Sequence, residues 1–328
     1  MVQIHPCGDL LQIQMEQKPS EKFSPIEYYG MIQTENNNFL EELKYHITNV
    51  PEGVTVILGG SDGKEEKNIS SKVELVVIGK DRQKLEEFVK DIQESEDPYL
   101  KLHLSIPIEI HTDSKDDIFC FAFGNIHTIY PDRIFNSSLL YGDVTKYKEY
   151  RARVLYEATI RGKDGKLVRD SLKGQLRDYI KAIQTGQFRG NYLWKDGSQL
   201  YQIEPLKERT VGFKIAFIRA VQRKLDLLTI YGIKNNKFSV DFALALPSNT
   251  VGRISALREY YSFSPEVEEA YIYFIREYHN IQEEMKRNKA KDPELLRASL
   301  PFNEEQFNKY SSIILGFVNN TQNDRDSN

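Results

Sequence analysis

The stretch VTVILGGSDGKEEKNISSKVELVVI, which runs from Val54 to Ile78, decides the fold of this chain. It begins and ends with apolar, β-branched runs, and each run predicts a buried strand. Between the two runs the chain is rich in small residues: Gly59, Gly60, Ser61 and Gly63. Such residues at the end of a strand leave backbone N–H groups free and let a phosphate approach closely. The stretch therefore predicts two strands joined by a turn that can hold a phosphate, although most Gly-Gly-Ser triplets are plain turns.

The turn and the second run resemble a motif of the polymerase-β-like nucleotidyltransferases. The motif reads G-S-x-G-R-x-E, a short polar spacer, and S/T-D-x-D/E, and its closest variant is that of the nucleotidyltransferases related to bacterial PII-uridylyltransferase. The matching positions of this chain are Gly60, Ser61, Gly63, Lys64 (arginine in the family), Glu66, Ser71 and Glu74. Lys72 stands where the family has its first metal-binding aspartate. The resemblance covers residues 36–145 by motif, and the rest of the chain by its helical character alone.

This resemblance implies a site for a nucleoside triphosphate and Mg²⁺. The implied nucleotide contacts in the first half of the chain come from Gly59, Gly60, Ser61, Gly63, Lys64 and Lys72. Glu74 and Glu109 are the implied catalytic carboxylates and metal ligands, because nucleotidyl transfer needs hard cations that bridge triphosphate oxygens. Glu109 lies on the polar face of LHLSIPIEIH, residues 102–111, which alternates like a half-buried strand. On the residues alone, Glu109 and His111 are explained equally well as solvated positions.

Lys72 brings a positive charge to the place where the family binds metal. Because Lys72, Val73 and Glu74 alternate along a strand, we expect the ammonium group and the Glu74 carboxylate on the same face. A lysine can pair with that carboxylate or replace one cation crudely, but it cannot ligate a metal. Losing one ligand of a catalytic metal site costs orders of magnitude in rate, since its residues act as a unit.

A second motif, RIFNSSLLYGD at residues 133–143, resembles the family's entry into its helical half. That entry has an acidic residue and an arginine before L-x-G-D, and the acidic place is taken here by Asn136. Local chemistry favours a helix that ends at a capping Gly142 and a second helix that opens at Asp143. The two interpretations are compatible.

The predicted fold class is an α/β domain followed by a helical domain. Its mixed sheet would resemble that of the nucleotidyltransferases, with flanking helices, and would occupy residues 1–145. About five to seven helices are expected in residues 146–318, and a disordered tail in 319–328. The helices expected in the first half are 36–49 and 81–94, and the strands are 10–15, 54–58, 73–78, 102–111 and 118–123. The turns expected in the second half are KDG at 163–165, KDG at 195–197 and KNN at 234–236.

The segment FKIAFIRAVQRKLDLL, residues 213–228, is the strongest predicted helix of the second half. Arg219 and Arg223 lie at positions i and i+4 on one face, a spacing suited to clamping a phosphate. The resemblance implies that the helical half closes over the nucleotide with such basic residues. Charged residues on a helix more often form a solvated face. Gly232 is expected to end this helix.

Composition excludes several classes of protein. The 328-residue chain carries a net charge of −4, which argues against a protein dedicated to duplex nucleic acid. Its two cysteines, Cys7 and Cys120, favour a reducing compartment and exclude a disulfide scaffold. No apolar run approaches the length of a membrane span, and the start of the chain lacks the layout of a signal peptide. We therefore expect a cytoplasmic protein that acts without a membrane.

Two functions remain open, beside the alternative that the motif match is accidental and the chain is a scaffold. The first is Mg²⁺-dependent transfer of a nucleoside monophosphate from a nucleoside triphosphate to a hydroxyl group on an unknown protein or small-molecule acceptor. The second is a catalytically degenerate nucleotidyltransferase that serves as a nucleotide-binding or protein-interaction module. Lys72, Lys64 in place of arginine and Asn136 in place of an acidic residue favour the second.

Overall fold

The structure is a computed structural model. It describes residues 24–59, 66, 73–104, 108–113, 137–160, 162–185, 193–195, 198–202, 214–291, 297–300 and 304–320. The predicted strands at 10–15 and 118–123 lie outside this part of the chain, as does the tail from residue 321.

The first half contains four helices and four strands among the described residues. In chain order they are α1 (Pro25–His46), β1 (Thr55–Leu58), β2 (Leu75–Gly79), α2 (Arg82–Gln93), α3 (Pro98–His103), β3 (Glu109–Thr112), β4 (Ser138–Tyr141) and α4 (Val144–Arg153). The sheet order is β3-β2-β1-β4. β2 and β3 run parallel, whereas β1 is antiparallel to both β2 and β4. The two strands predicted around the glycine-rich turn are confirmed, and the sheet is mixed as expected.

Helix α1 starts eleven positions earlier than the predicted helix at 36–49, since it begins at Pro25. Ser24 forms a capping box with Glu27, and Pro25 occupies the first turn. A capping box satisfies backbone N–H groups that a helix start otherwise leaves open, which explains the earlier start. The helix is therefore long enough to reach from the sheet to the second half of the chain.

Helix α2 confirms its prediction closely. Asp81 caps it by accepting hydrogen bonds from the backbone N–H groups of Gln83 and Lys84. The four side chains of its predicted apolar stripe are all buried: Leu85, Phe88, Val89 and Ile92.

The predicted strand at 102–111 is wrong over its first residues. Leu102 and His103 belong to α3, and only Glu109–Thr112 forms a strand, with residues 105–107 outside the described part. Asp97 caps α3 and Pro98 fills its first position. Because proline is favoured in the first turn of a helix, this pair starts a helix where the alternation of side chains predicts a strand.

Gly142 does not end a helix, because the residues before it form strand β4. Its φ angle is +120°, and a Cβ there would lie 2.9 Å from the Cα of Thr55. A glycine is therefore required where the chain leaves β4 beside β1. The other half of the prediction is confirmed, since Asp143 caps α4 by accepting hydrogen bonds from Thr145 and Lys146.

The second half is mostly helical, as expected, but it also contains strands. In chain order its described elements are a π-helix (Val154–Ile160), α5 (Gly162–Thr185), β5 (Leu193–Lys195), β6 (Ser198–Gln202), a second π-helix (Lys214–Arg219), α6 (Ala220–Lys234), α7 (Val240–Ala245), α8 (Thr250–Arg258), α9 (Glu266–Lys291), β7 (Arg297–Leu300) and α10 (Glu304–Asn319).

The sheet β5-β6-β7 is a correction, because helical periodicity predicts few strands in this half. β7 is far from β5 and β6 in sequence, so this sheet depends on a long-range pairing that local patterns do not reveal. The turn predicted at 163–165 is also wrong, since these residues lie inside α5. The turn at 234–236 is confirmed by the end of α6 and by the positive φ of Asn236, 56°. The predicted tail begins one residue inside α10.

The first sheet is buried on both faces. Val56, Leu58 and Val77 belong to a hydrophobic cluster with the apolar stripe of α2. Ile57, Val76 and Ile78 face the other way, into a larger cluster made by the helices of the second half. Because β1 and β2 contribute to both clusters, the sheet separates α2 from the second half. The predicted boundary at residue 145 stays a prediction, and the larger cluster crosses it.

Gly232 does not end α6, because the helix continues to Lys234. A Cβ at Gly232 would lie 2.0 Å from the ring of Phe238, which packs against Phe242 and Tyr260. The glycine therefore makes room for a ring inside the fold.

We expect Gly232→Ala to lower the free energy of unfolding by about 1–3 kcal/mol, as overpacking of a core does. The ring clash outweighs the gain in helix propensity of about 1 kcal/mol. Urea denaturation measures the change. Gly30→Ala in α1 is the matched control, because nothing lies within 4 Å of a Cβ there. A Gly232→Ala protein as stable as Gly30→Ala would contradict the expected clash.

Candidate functional site

Gly59, which follows β1, and Glu74, which precedes β2, lie side by side. Gly59 donates its backbone N–H to the carbonyl oxygen of Glu74 over 3.0 Å. A Cβ at Gly59 would be 4.0 Å from Oε2 of Glu74. The Glu74 carboxylate therefore lies next to the start of the glycine-rich turn. Because the Gly59 N–H is already bonded to Glu74, phosphate contacts by backbone amides fall to the residues that follow.

Strand register places Glu74 and Glu109 on one face of the sheet. Val76 is opposite Glu109 in the parallel pair β2–β3. Residues opposite each other in a sheet share a face, and so do residues two apart on one strand. Glu74, Val76 and Glu109 therefore share a face, and Val76 shows that this face is turned toward the second half. Glu109 begins β3, and Glu74 directly precedes the neighbouring strand β2.

Glu109 is not fully solvated. Its side chain is 34% exposed, and its Oε2 lies 3.6 Å from Nε2 of His111, which is 19% exposed. Glu74 is exposed. The carboxylate on β3 is thus more enclosed than the carboxylate before β2.

Glu74 and Glu109 are carboxylates, the side-chain type that Mg²⁺ takes as a protein ligand. Mg²⁺ is usually bound by one or two carboxylates together with substrate phosphates and water. In the described ranges, no three His, Cys, Asp or Glu side chains lie close enough to hold a metal by themselves. The described residues therefore do not form a closed metal site.

Five predicted nucleotide contacts lie outside the described residues: Gly60, Ser61, Gly63, Lys64 and Lys72. Their roles stay predictions.

The two predicted arginines occupy different environments. Arg219 is half-buried at the end of the second π-helix, where its charge opposes the rise in the pKa of Tyr278 that burial causes. Arg223 is 2% exposed, and its guanidinium lies 3.5 Å from the carboxylate of Asp226. Asp226 also pairs with Arg253 over 3.0 Å. A phosphate clamp by both arginines is therefore opposed by the burial of Arg223, whereas Arg219 remains a candidate.

Glu66, which is 3% exposed, accepts four hydrogen bonds from described residues. Glu66 aligns with the glutamate of the G-S-x-G-R-x-E motif, and the resemblance implies no role for it. Its Oε1 accepts hydrogen bonds from the backbone N–H of Thr250 over 2.7 Å and from the Tyr29 hydroxyl over 3.4 Å. Its Oε2 accepts from the Tyr271 hydroxyl over 2.7 Å and from the side-chain amide of Gln222 over 3.1 Å. The fixed spacing of Glu66 within the motif is the only sequence signal for this position.

Two other buried groups next to Glu66 have shifted pKa values. Burial raises the pKa of Tyr271 well above its usual value, and the neighbouring Glu66 carboxylate raises it further. Burial lowers the pKa of His279 to about 4, and the charge of Lys214 lowers it too. His279 nevertheless hydrogen-bonds the backbone of Glu66, and its Nδ1 lies 3.2 Å from the Tyr28 hydroxyl. At neutral pH this region therefore contains a protonated tyrosine and a neutral histidine.

A surface cleft of about 480 Å³ lies at the other end of β1. Thr55, Tyr141, Asp143 and Lys146 are among its lining residues. Thr55 starts β1, whereas Gly59 follows its last residue. The cleft is therefore separate from the face of Glu74 and Glu109.

Comparison with known proteins adds no support to the resemblance, which rests on its motif residues alone. No family model matches the chain, and no curated protein is significantly similar to it. No described helix is both long and apolar enough to cross a membrane.

Proposed function

We propose that this protein binds a nucleoside triphosphate at the Gly59 end of β1 and transfers its nucleoside monophosphate to a hydroxyl acceptor. The observation that supports the proposal most is the position of Glu74. It lies beside the glycine-rich turn and shares a sheet face with Glu109. Phosphate-binding amides and metal-binding carboxylates must converge in such a site, since catalysis of phosphoryl chemistry depends on positioning and charge neutralisation.

In the proposed reaction, the acceptor oxygen attacks the α-phosphorus and loses its proton to solvent, while the bond from the α-phosphorus to the oxygen that bridges it to the β-phosphate breaks and pyrophosphate leaves. Glu74 and Glu109 would hold Mg²⁺, which supplies charge neutralisation at the phosphate oxygens. The amides after Gly59 would orient the phosphates, and Lys64 would add positive charge there. Arg219 is the candidate contact from the second half.

Lys72 favours a second candidate function, a nucleotide-binding module without transfer activity. Its ammonium group would stand on the same strand face as Glu74 and replace one metal with a fixed charge. Such a module would bind a nucleotide without needing Mg²⁺.

Thermal shift separates the two functions. ATP, GTP, UTP and CTP are each added with Mg²⁺ and with EDTA, because a ligand that binds the folded state raises the midpoint of unfolding. Stabilisation that requires Mg²⁺ is expected for the transferase, and stabilisation without metal for the module. If none of the four nucleotides stabilises the protein, both functions are wrong.

We expect Lys72→Asp to increase Mg²⁺-dependent nucleotide binding, because it restores the carboxylate that the family has at this place. Calorimetric titration of ATP with and without Mg²⁺ measures the change. Lys80→Asp is the matched control, since Lys80 is exposed just beyond the other end of β2. An equal response of the two variants would show that the strand alignment with the family is wrong.

A further inference from the structure

Glu66 lies between β1 and β2 in the sequence but is bonded mainly to helices of the second half. Gln222 is on α6, Thr250 is the first residue of α8, and Tyr271 is on α9. The remaining partner, Tyr29, is on α1, which itself packs on α9. One side chain from the strand connection thus joins four helices.

The four donors to Glu66 are neutral, and together they suit a buried carboxylate. Each carboxylate oxygen accepts two hydrogen bonds. The start of α8 adds the positive end of a helix dipole, since the Thr250 N–H points at Oε1. Hydrogen bonds to a charged group are stronger than those between neutral groups, and leaving such a buried donor unsatisfied is destabilising.

The donors also bond one another, so the cluster acts as a unit. The Gln222 amide lies 2.9 Å from the Tyr271 hydroxyl, and that hydroxyl lies 3.1 Å from Oγ1 of Thr250. The backbone of Glu66 is held as well, by the hydrogen bond from His279 on α9. Both the main chain and the side chain of Glu66 are therefore attached to the second half.

We propose that Glu66 is a positioning residue for the nucleotide site, attaching the connection between β1 and β2 to the helical half. The inference rests on the proposed function. Gly59 and Glu74 flank Glu66 in the chain and are bonded to each other. Glu66 and the Gly59–Glu74 pair therefore hold the connection at one point within it and at its two ends. Nucleotide binding and the Glu66 contacts then favour the same arrangement, and each strengthens the other by linkage.

The test uses Glu66→Gln and Tyr271→Phe in the full chain. In Glu66→Gln, one oxygen acceptor becomes a donor that faces other donors. Tyr271→Phe removes one hydroxyl and keeps the ring, so it tests the hydrogen-bond cluster even if Glu66→Gln folds poorly. Tyr310→Phe is the matched control, because the Tyr310 hydroxyl donates to Glu269 over 2.6 Å within the second half.

We expect Glu66→Gln to weaken binding of Mg²⁺-nucleotide about tenfold, as the loss of about 1.4 kcal/mol does, and Tyr271→Phe to weaken it less. Each of ATP, GTP, UTP and CTP is titrated. In the double variant of Glu66→Gln and Tyr271→Phe, the loss of affinity is expected to be smaller than the sum of the two single losses, because both changes disrupt the same hydrogen-bond network. Tyr310→Phe is expected to bind like the unmodified protein. If Glu66→Gln loses no more affinity than Tyr310→Phe, Glu66 is not a positioning residue.

Hydrogen exchange distinguishes a failure of this inference from a failure of the proposed function. The peptide that contains Glu66 is expected to exchange its amide hydrogens faster in Glu66→Gln and Tyr271→Phe. Its exchange rate is expected to be unchanged in Tyr310→Phe. If the unmodified protein binds none of the four nucleotides, the proposed function and the positioning role both fail. The exchange data would still decide whether Glu66 anchors the strand connection.

Discussion

Replacing Asp226 by alanine is expected to lower the free energy of unfolding by about 3–5 kcal/mol, the usual cost of breaking a buried ion pair. Asp226 is fully buried, and its two oxygens lie 3.0 Å from Arg253 and 3.5 Å from Arg223. The variant would bury two guanidinium groups without the carboxylate that neutralises them. In the low dielectric of an interior, such charges are costly.

Chemical denaturation at pH 7 measures this loss, with Asp178→Ala as the control. Asp178 is an exposed residue of α5, where a single surface charge contributes little. Asp226→Asn keeps the shape of the side chain and removes its charge, so it separates charge from packing. A loss no larger than that of Asp178→Ala would mean that the three side chains do not form a buried ionic group.

Lowering the pH from 6.5 to 4 is expected to destabilise the protein through His279 by about 3 kcal/mol. The pKa of His279 is about 4 in the folded protein, against an ordinary value of 6.5. Between pH 4 and 6.5, His279 is protonated in the unfolded chain and neutral in the folded protein, so the free energy of unfolding rises with pH. The contribution of neutral His279 to the free energy of unfolding is complete above pH 6.5 and is lost as the pH falls toward 4.

The groups around His279 explain this direction. The ring is buried between α1 and α9, near the Tyr28 hydroxyl and the backbone of Glu66, with the charge of Lys214 close by. Burial and the lysine both disfavour the charged ring. The hydrogen bond to the Glu66 backbone opposes them but is the smallest of the three effects.

Urea denaturation at several pH values, compared between the unmodified protein and His279→Gln, isolates this contribution. Other acid-titrating groups are common to both proteins and cancel in the difference. The curve of His279→Gln is expected to be flatter by about 3 kcal/mol between pH 4 and 6.5. Tyr28→Phe keeps the histidine and is expected to keep the slope. Parallel curves for the unmodified protein and His279→Gln would contradict a depressed pKa at this ring.

Elements with a strong local signal were predictable. The β-branched runs of β1 and β2 and the stripe of α2 were found at nearly their true bounds, because side-chain periodicity reports burial directly. The start of α3 at Asp97 and Pro98 was missed, because its capping chemistry competes with an alternating pattern. The pairing of β6 with β7 joins residues about a hundred positions apart, which no local window contains.

The residues of the candidate site also differ in how well the sequence predicted their surroundings. Glu74 was placed beside the glycine-rich turn from the strand pattern, and the register of β2 and β3 puts Glu109 on the same face. Arg223 was predicted to contact phosphate because it lies four residues after Arg219 on one helix face and because the resemblance implies basic residues from the helical half. Its burial depends on Asp226 and Arg253, and the second of these belongs to another helix.

The sequence by itself determined the two strands and the helical character of the second half, since periodicity acts over neighbouring residues. The glycine-rich turn between the strands stays a prediction. Only the tertiary structure decided that Glu66 is the carboxylate bonded to four helices and that His279 is held neutral. Both depend on desolvation and on hydrogen bonds between residues as far apart as Glu66 and Tyr271. Such contacts exist only after the chain has packed, so no local pattern of residues encodes them.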